Sequence, residues 1–261
     1  MENRFFHRLS LLTGNETTSA LQRSHVIVFG LGGVGSWCAE ALVRSGIGSI
    51  SLVDNDSISV TNINRQLQAT SKNIGLEKAG ELEKRLLEIN PSCAVRSFPM
   101  VFSKETAEHF DISQADFIID AIDTLPDKLD LIEIAHASDA QSAPVEASAY
   151  RGNFKSRHFF SSMGMAQKLD PTLIKTADIW ESAGCPLARL VRQGLKNRNF
   201  TGHFTVVYSS EKLLKRDGAA LEETGKKPIG SFVSVTAAAG MVLASLVVRD
   251  LYSRYSLQTN E

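Results

Sequence analysis

The apolar run His25-Val26-Ile27-Val28-Phe29 leads directly into Gly30-Leu31-Gly32-Gly33-Val34-Gly35. A short continuous apolar run of this kind reads as a strand buried on both faces. A Gly-x-Gly-x-x-Gly turn straight after a strand and straight before a helix admits few folds. The strand must turn tightly, feed a helix over 34–45 and return beside itself as a second strand over Ser49–Val53. The rhythm continues. A helical apolar pattern over 77–89 (Leu82, Leu86, Leu87) stops before Pro91, Val95–Phe98 and Phe117–Ile119 read as strands, and a helix follows over 127–137. Strands alternating with helices predict an α/β fold, a Rossmann-like, mostly parallel sheet with flanking helices. C-terminal strands and a long C-terminal helix are expected to extend it. A short amphipathic helix is expected ahead of the first strand, over 2–12.

At 261 residues the chain fits one domain. It divides into a nucleotide-binding half over 1–137, an insertion over 138–157 and a second half over 158–261. The insertion is rich in Ala and Ser and lacks a period, and residues 209–228 read as a long polar, mobile loop. Ile229–Val248 is a 20-residue stretch without charge, long enough to span a bilayer but rich in small and polar residues. It is expected to be a buried or subunit-packing helix rather than a membrane contact. Net charge is −1, so no global field draws the chain to a polyanion. The charge is uneven, however: residues 1–184 carry −6 and residues 185–227 carry +5. The basic segment is either a solvated face or a landing patch for a polyanion. Cys38, Cys93 and Cys185 form no C-x-x-C pair, so no zinc site of that kind is expected and a reducing, cytoplasmic setting fits.

Gly30, Gly32, Gly33 and Gly35 would let backbone approach phosphate at a helix N-terminus. Asp54 closes the second strand 24 residues after Gly30, where a carboxylate accepts hydrogen bonds from ribose hydroxyls. This much says nucleotide, without choosing between NAD and ATP. Asp54-x-Asp56 is then followed by Asn62-x-x-Arg65-Gln66 and, 13 residues after Arg65, by Lys78. A triphosphate needs cations that a dinucleotide does not, so this pair favours ATP. The bland alternatives are that Arg65 caps a turn and Lys78 is a surface lysine. Asp120-Ala121-Ile122-Asp123 ends the fourth strand. Ligands bind at the carboxyl ends of parallel strands, which places Asp123 where an acid can hold Mg²⁺; its alternative is a helix N-cap.

Taken in order, the glycine loop, Asp54, Asn62-x-x-Arg65-Gln66, Lys78 and Asp120-x-x-Asp123 resemble the ubiquitin-activating-enzyme superfamily of adenylating enzymes. Ser161-Ser162-Met163-Gly164, Lys168-Leu169-Asp170-Pro171-Thr172, Cys185-Pro186-Leu187-Ala188-Arg189, Gly230-Ser231-Phe232 and the opening Arg4-Phe5 with Arg8 narrow the resemblance to the tRNA threonylcarbamoyladenosine dehydratase family. The resemblance covers nearly the whole chain. It implies ATP and Mg²⁺ without zinc, and a tRNA carrying threonylcarbamoyladenosine next to the anticodon. The threonine carboxylate would be adenylated and the nucleoside would cyclise with loss of water. It further implies a homodimer in which Arg8, or failing it Arg4, reaches into the partner's site, and it admits a cysteine-desulfurase sulfur-relay protein as a partner. Asp54 would hold the ribose, Arg65 and Lys78 the phosphates, Asn62 would orient them, and Asp123 would bind the metal. Residues 168–227 would offer the tRNA surface.

Two departures from the family pattern bear on the substrate. Met165-Ala166-Gln167 stand where small residues and an Asn are expected, so the acceptor side of the pocket is expected to be narrowed or reshaped. The stretch Ala137–His158 is longer than the family's connection and carries basic and aromatic residues (Tyr150, Arg151, Phe154, Lys155, Arg157) suited to RNA. Cys185 opens a predicted helix, which can activate a thiol, but the implied chemistry needs no enzyme nucleophile. The alternatives are adenylation of the C-terminus of a small ubiquitin-like or sulfur-carrier protein, and a nicotinamide-binding oxidoreductase or nucleotide sensor.

Overall fold

The structure is a computed structural model that describes residues 5–141, 159–214 and 229–256. Its centre is β1 (His25–Phe29), whose last four residues are buried. Val26 and Val28 enter one apolar cluster and Ile27 and Phe29 the other, so helices must cover both faces of the strand. The neighbours follow the same logic: β2 (Ser49–Val53), β3 (Ala94–Phe98), β4 (Phe117–Asp120), β5 (Phe159–Ser162), β6 (Ile174–Asp178) and β7 (Thr205–Ser209). They form one sheet in the order β3-β2-β1-β4-β5-β7-β6, parallel except for the antiparallel edge strand β6. Because β1 pairs with both β2 and β4, chain connections leave it in opposite directions, and a crevice opens at the carboxyl ends of β1 and β4.

Six α-helices flank the described sheet. On one side lie α1 (His7–Arg23), α2 (Gly35–Arg44), α3 (Lys78–Ile89) and α6 (Val233–Ser256); on the other lie α4 (Leu125–Gln141) and α5 (Pro186–Asn197). α1 is two helical segments joined at a kink: Gly14, at φ 84° and ψ 163°, breaks the helix close to the end of the predicted 2–12. A second segment, which the sequence pattern does not predict, follows and buries Thr17, Thr18, Ala20 and Leu21. The charge-free stretch is α6, displaced toward the C-terminus relative to 229–248. It is the one described helix long and apolar enough to cross a membrane. Its composition has a local cause: Val235, Ala239, Leu243, Val247 and Leu251 lie in the core at four-residue spacing. A Cβ on Gly240 would stand 2.5 Å from the Val34 carbonyl oxygen, so α6 crosses the start of α2 at backbone contact.

The C-terminal strands were expected only as a class. β5 and β7 are buried runs of four and five residues, and β6 is an edge strand with Lys175 and Thr176 exposed, so none carries a long period. Of the expected insertion 138–157, α4 takes the backbone through Gln141, and the remainder lies outside the described residues, as do 215–228 of the expected loop and Arg4.

The turn from β4 into α4 is fixed by a buried ion pair. The side chains of Asp120 and Lys128 are both fully inaccessible, with Lys128 Nζ 2.8 Å from Asp120 Oδ2. The Ser161 hydroxyl donates to the same oxygen at 2.7 Å, Ile122 N–H donates to Asp120 Oδ1 at 3.1 Å, and Lys128 Nζ donates to the Ile122 carbonyl at 2.8 Å. Each charge is paired and further hydrogen-bonded, as burial demands. Lys128→Met should therefore cost about 3–5 kcal/mol in chemical unfolding, because it strands a buried carboxylate. Adding Asp120→Asn should recover part of that loss.

Candidate active site

The turn after β1 works only without side chains at two positions. Gly30 sits at φ +85°, and a Cβ there would lie 2.6 Å from the Ala121 carbonyl oxygen in the turn after β4. A Cβ on Gly35 would lie 1.8 Å from the Gly30 carbonyl oxygen. The glycine turn is thus packed backbone-to-backbone against Ala121, and the two turns form the floor of a cleft of about 780 Å³. Gly30, Gly32, Gly33, Asp54, Asp56, Asn62, Arg65, Gln66, Lys78 and Asp123 all line it. Gly35 lies beneath the floor. Arg8 stands exposed on α1 and is not among the lining residues.

Asp54, at the end of β2, is locked by its own turn. Leu31 N–H donates to its Oδ2 at 2.7 Å and Asp56 N–H to its Oδ1 at 2.9 Å. Burial pushes its carboxyl above the usual range, while Lys78 and the two N–H donors pull it back. Lys78 opens α3; its side chain is almost wholly buried and its ammonium meets Asp56 Oδ2 at 2.7 Å. The Asp56 side chain is itself largely exposed, so this ion pair aims a buried cation at the open cleft rather than anchoring a core.

Asn62 and Arg65 follow β2 on a short 3-10 turn. Asn62 uses its Oδ1 to accept from Ser59 N–H at 3.0 Å, which caps that turn. Its expected part in orienting phosphates is therefore joined by a structural one. Arg65 donates from Nη1 to the Thr61 carbonyl at 2.8 Å and to Asn64 Oδ1 at 3.0 Å, while its stem lies over Gly33. The turn-capping alternative for Arg65 and its place in the cleft hold together. The Gln66 side chain is buried, and its Oε1 has no hydrogen-bond partner among the described residues. Buried amide oxygens are nearly always paired, so this one fits a site awaiting a donor.

Asp123 is exposed at the cleft. Nearby, the Thr124 hydroxyl donates to Asp127 Oδ2 at 2.5 Å, and Asp127 is a lining carboxylate that the sequence did not single out. A further wall comprises Ser162–Ala166 at the end of β5, Leu187 on α5, and Ile229 and Ser231, while Thr236 of α6 lies beside Gly33. Met165 is buried in the core beneath that wall, so much of its bulk goes into packing. Gln167 takes a left-handed conformation (φ 59°), a place where asparagine is better tolerated. Its N–H donates to the Gly230 carbonyl at 2.8 Å and its carbonyl accepts from Leu214 N–H at 2.9 Å. Lys168, also buried, donates from Nζ to the Ser209 and Glu211 carbonyls, each at 2.9 Å, and burial lowers its pKa.

Cys185 is the N-cap residue of α5, as expected of a helix start, but it is buried behind the wall with Sγ 3.9 Å from the Gly164 carbonyl oxygen. Cys38 lies in the core, where burial pushes its thiol pKa up. The basic segment is thinner in space than in sequence. Arg192 donates to the Ser182 carbonyl at 2.7 Å, and Arg198 pairs with Asp130 and Glu133. Arg189, Lys196 and Lys212 remain exposed. Lys215, Arg216, Lys226 and Lys227 lie outside the described residues, as do Arg151, Lys155 and Arg157.

The sequence missed Lys128, Asn64 and Asp127. A lysine eight residues beyond Asp120 follows no period, and Asn64 sits at an unassigned position inside Asn62-x-x-Arg65. A pair of glycine substitutions separates the floor's two duties. Gly35→Ala should fail to fold, since its methyl meets backbone. A methyl at Gly32 meets only Gln66 Nε2, at 4.0 Å. Gly32→Ala should keep wild-type thermal stability while weakening ATP, in calorimetric titration, by about tenfold or more, because backbone can no longer approach phosphate.

Residues 6–256 match the ThiF family. Over 256 aligned residues the chain is 35% identical to the tRNA threonylcarbamoyladenosine dehydratase of Bacillus subtilis (strain 168), with 94% of each chain covered. It is 31% identical to the enzyme of that name from Escherichia coli (strain K12), covering 95% of this chain and 93% of the other. The crystal structure of E. coli tRNA N6-threonylcarbamoyladenosine dehydratase in complex with ATP superposes with a TM-score of 0.81 at 29% identity, covering 98% and 97% of the two chains. With a parallel sheet that opens at β1 and β4 and a glycine floor facing two cations, the chain belongs to the ThiF family and, within it, to the tRNA threonylcarbamoyladenosine dehydratases.

Proposed function

We propose that the chain catalyses the ATP-dependent dehydration of threonylcarbamoyladenosine in tRNA, next to the anticodon, through adenylation of the threonine carboxylate. The observation that carries this reading is the meeting, in one cleft, of the glycine turn with Asp54, Arg65, Lys78 and Asp123, delivered by five separate segments. The substrate follows from relatives that match over nearly their full length. The carboxylate oxygen bonds to the α-phosphorus as the bond to pyrophosphate breaks. The carbamoyl group of the same nucleoside then attacks the activated carbonyl and AMP departs with the former carboxylate oxygen, so the nucleoside has lost one water. The nucleophile is already tethered to its target, which supplies much of the advantage of proximity.

The chain's residues have distinct tasks in this scheme. The glycine floor admits phosphate to backbone contact, and Asp54, already aligned by two N–H donors, accepts from the ribose. Arg65 and Lys78 neutralise the charge that develops as pyrophosphate leaves. Gln66 offers an unpaired acceptor. A magnesium ion travelling with ATP needs only one or two protein carboxylates, because phosphates and water complete its shell. Asp123 fits that requirement, and the described residues hold no cluster of three ligands that would bind a metal on their own. Magnesium would polarise the phosphates. The exposed Arg189, Lys196 and Lys212 would meet the polyanion.

Two further parts belong to the proposal. A homodimer would cover the exposed apolar side chains Leu11 and Leu12 on α1 and Met241 on α6, and would carry Arg8 toward the partner's cleft. A sulfur-relay protein would be an accessory rather than a chemical necessity, since no step requires Cys185. A cytoplasmic setting accords with a tRNA substrate and with the free thiols of Cys38, Cys93 and Cys185. Adenylation of a small carrier protein is the second reading, and Cys185 behind the acceptor wall is the residue that would serve it.

The test is to incubate the protein with ATP, Mg²⁺ and tRNA carrying threonylcarbamoyladenosine, then weigh the digested nucleosides. Loss of one water with AMP release is expected, and Arg65→Ala should lower the rate by about 10³-fold or more, the scale of losing an arginine at a phosphoryl centre. ATP–pyrophosphate exchange that requires a carrier protein and leaves the nucleoside unchanged would support the second reading instead. Arg8→Ala and Lys78→Ala proteins should each be inactive, and mixing them should restore activity if Arg8 acts across a dimer. No recovery on mixing would remove the arginine from the partner's site.

A further inference from the structure

Arg65 and the wall residue Ser231 lie far apart in the chain, yet one side chain touches both. Asn64 Oδ1 accepts from Arg65 Nη1 at 3.0 Å, and Asn64 Nδ2 donates to the Ser231 carbonyl at 3.0 Å, across 167 residues. Nη1 also donates to the Thr61 carbonyl at 2.8 Å. Both N–H groups of Nη1 are thereby engaged, and among the described residues the Nε–Nη2 edge of the guanidinium has no partner, so its planar fork can face phosphate. On the other side, the Gly230 carbonyl next to Ser231 accepts from Gln167 N–H at 2.8 Å, and Gln167 adjoins the wall residues Gly164–Ala166. A continuous set of hydrogen bonds therefore runs from the Arg65 guanidinium through Asn64, Ser231 and Gly230 to the acceptor wall.

We infer that Asn64 is a positioning residue that couples the seating of Ile229–Ser231 on the acceptor side of the cleft to the aim of Arg65 on the nucleotide side. The inference rests on the proposed function, in which Arg65 faces ATP phosphate and the wall faces the tRNA nucleoside. The Asn64 amide is suited to this because it needs both halves: its oxygen holds the cation and its nitrogen holds the carbonyl. Linkage then requires that whatever seats the wall also tightens nucleotide binding, by the same factor in either direction.

Asn64 is exposed, so its variants should fold with unchanged melting temperature. Asn64→Ala removes both contacts. Asn64→Asp keeps the acceptor for Arg65 and removes the donor to Ser231. The measurement is the affinity for a non-hydrolysable ATP analogue, alone and with saturating tRNA carrying threonylcarbamoyladenosine. In the wild-type protein the tRNA should tighten the analogue by about fivefold or more. In Asn64→Asp the analogue alone should bind within about threefold of wild type, since the charge-assisted contact to Arg65 survives, while the tRNA effect disappears. In Asn64→Ala the analogue alone should weaken by about fivefold or more, and the tRNA effect should also vanish. A wild-type protein that binds the analogue without any tRNA effect overturns the coupling and leaves the function standing, as do variants that keep the full tRNA effect. A wild-type protein that does not bind the analogue overturns the functional reading and this inference with it.

Discussion

The turn that follows β4 lies directly against the glycine turn that follows β1, and the site depends on that contact. No side chain fits between them: a Cβ on Gly30 meets the Ala121 carbonyl oxygen, and a Cβ on Gly35 meets Gly30 itself. The β4 turn keeps its shape because Asp120 and Lys128 pair beneath it in complete burial, joined by the Ser161 hydroxyl from β5. Three neighbouring strands thus end in one rigid platform. Asp123 rises from it on one side and the glycine turn on the other. A buried pair of this kind contributes little net stability over an apolar replacement. Its value here is that it fixes the direction in which the β4 turn leaves the sheet.

Around that platform, charge is arranged by degree of burial. Lys78 has a buried stem and ammonium but pairs with the exposed Asp56, so the ion pair is half in solvent and its attraction is screened. Among the described residues Arg65 is held through Nη1 alone and has no carboxylate partner. Both cations are therefore prepositioned, Arg65 without a counter-charge and Lys78 against an exposed, screened one, an arrangement suited to stabilising charge that appears only during a reaction. Asp54 is the reverse case: burial raises its carboxyl pKa, and N–H donors from Leu31 and Asp56 hold it in place as an acceptor.

Much of this was legible in the chain because the relevant constraints are local. A strand that must be buried on both faces, a turn that forbids a Cβ, and an acid at the end of the next strand each leave a mark at fixed spacing. The glycines of the floor and Asp54, Asp56, Asn62, Arg65, Gln66, Lys78 and Asp123 were named from such marks and line the cleft, whereas Asn55 and Met100–Phe102, which line it too, carry none. Marks that depend on distant partners were not legible. β5, β6 and β7 are too short to show a period, and a second helical segment follows the break at Gly14 because it packs in the core. Lys128 reads as an ordinary helix lysine until β4 and β5 close over it. The basic segment lost two of its arginines to partners in α4 and at Ser182, which no charge count reveals.

The sequence by itself determined the parallel α/β architecture, the glycine floor and the cleft's charged residues other than Asp127, because each follows from backbone sterics, from alternation along a few consecutive residues or from an ordered set of motifs. Only the tertiary structure decided which groups remain available for chemistry. Asn62 also caps its turn, Cys185 is sealed behind the wall, Arg8 is left on an outer helix, and Asn64 bridges two halves that lie 167 residues apart. The reason is physical: a side chain's type and spacing are properties of the chain, but its hydrogen-bond partners and its burial are properties of the packed fold.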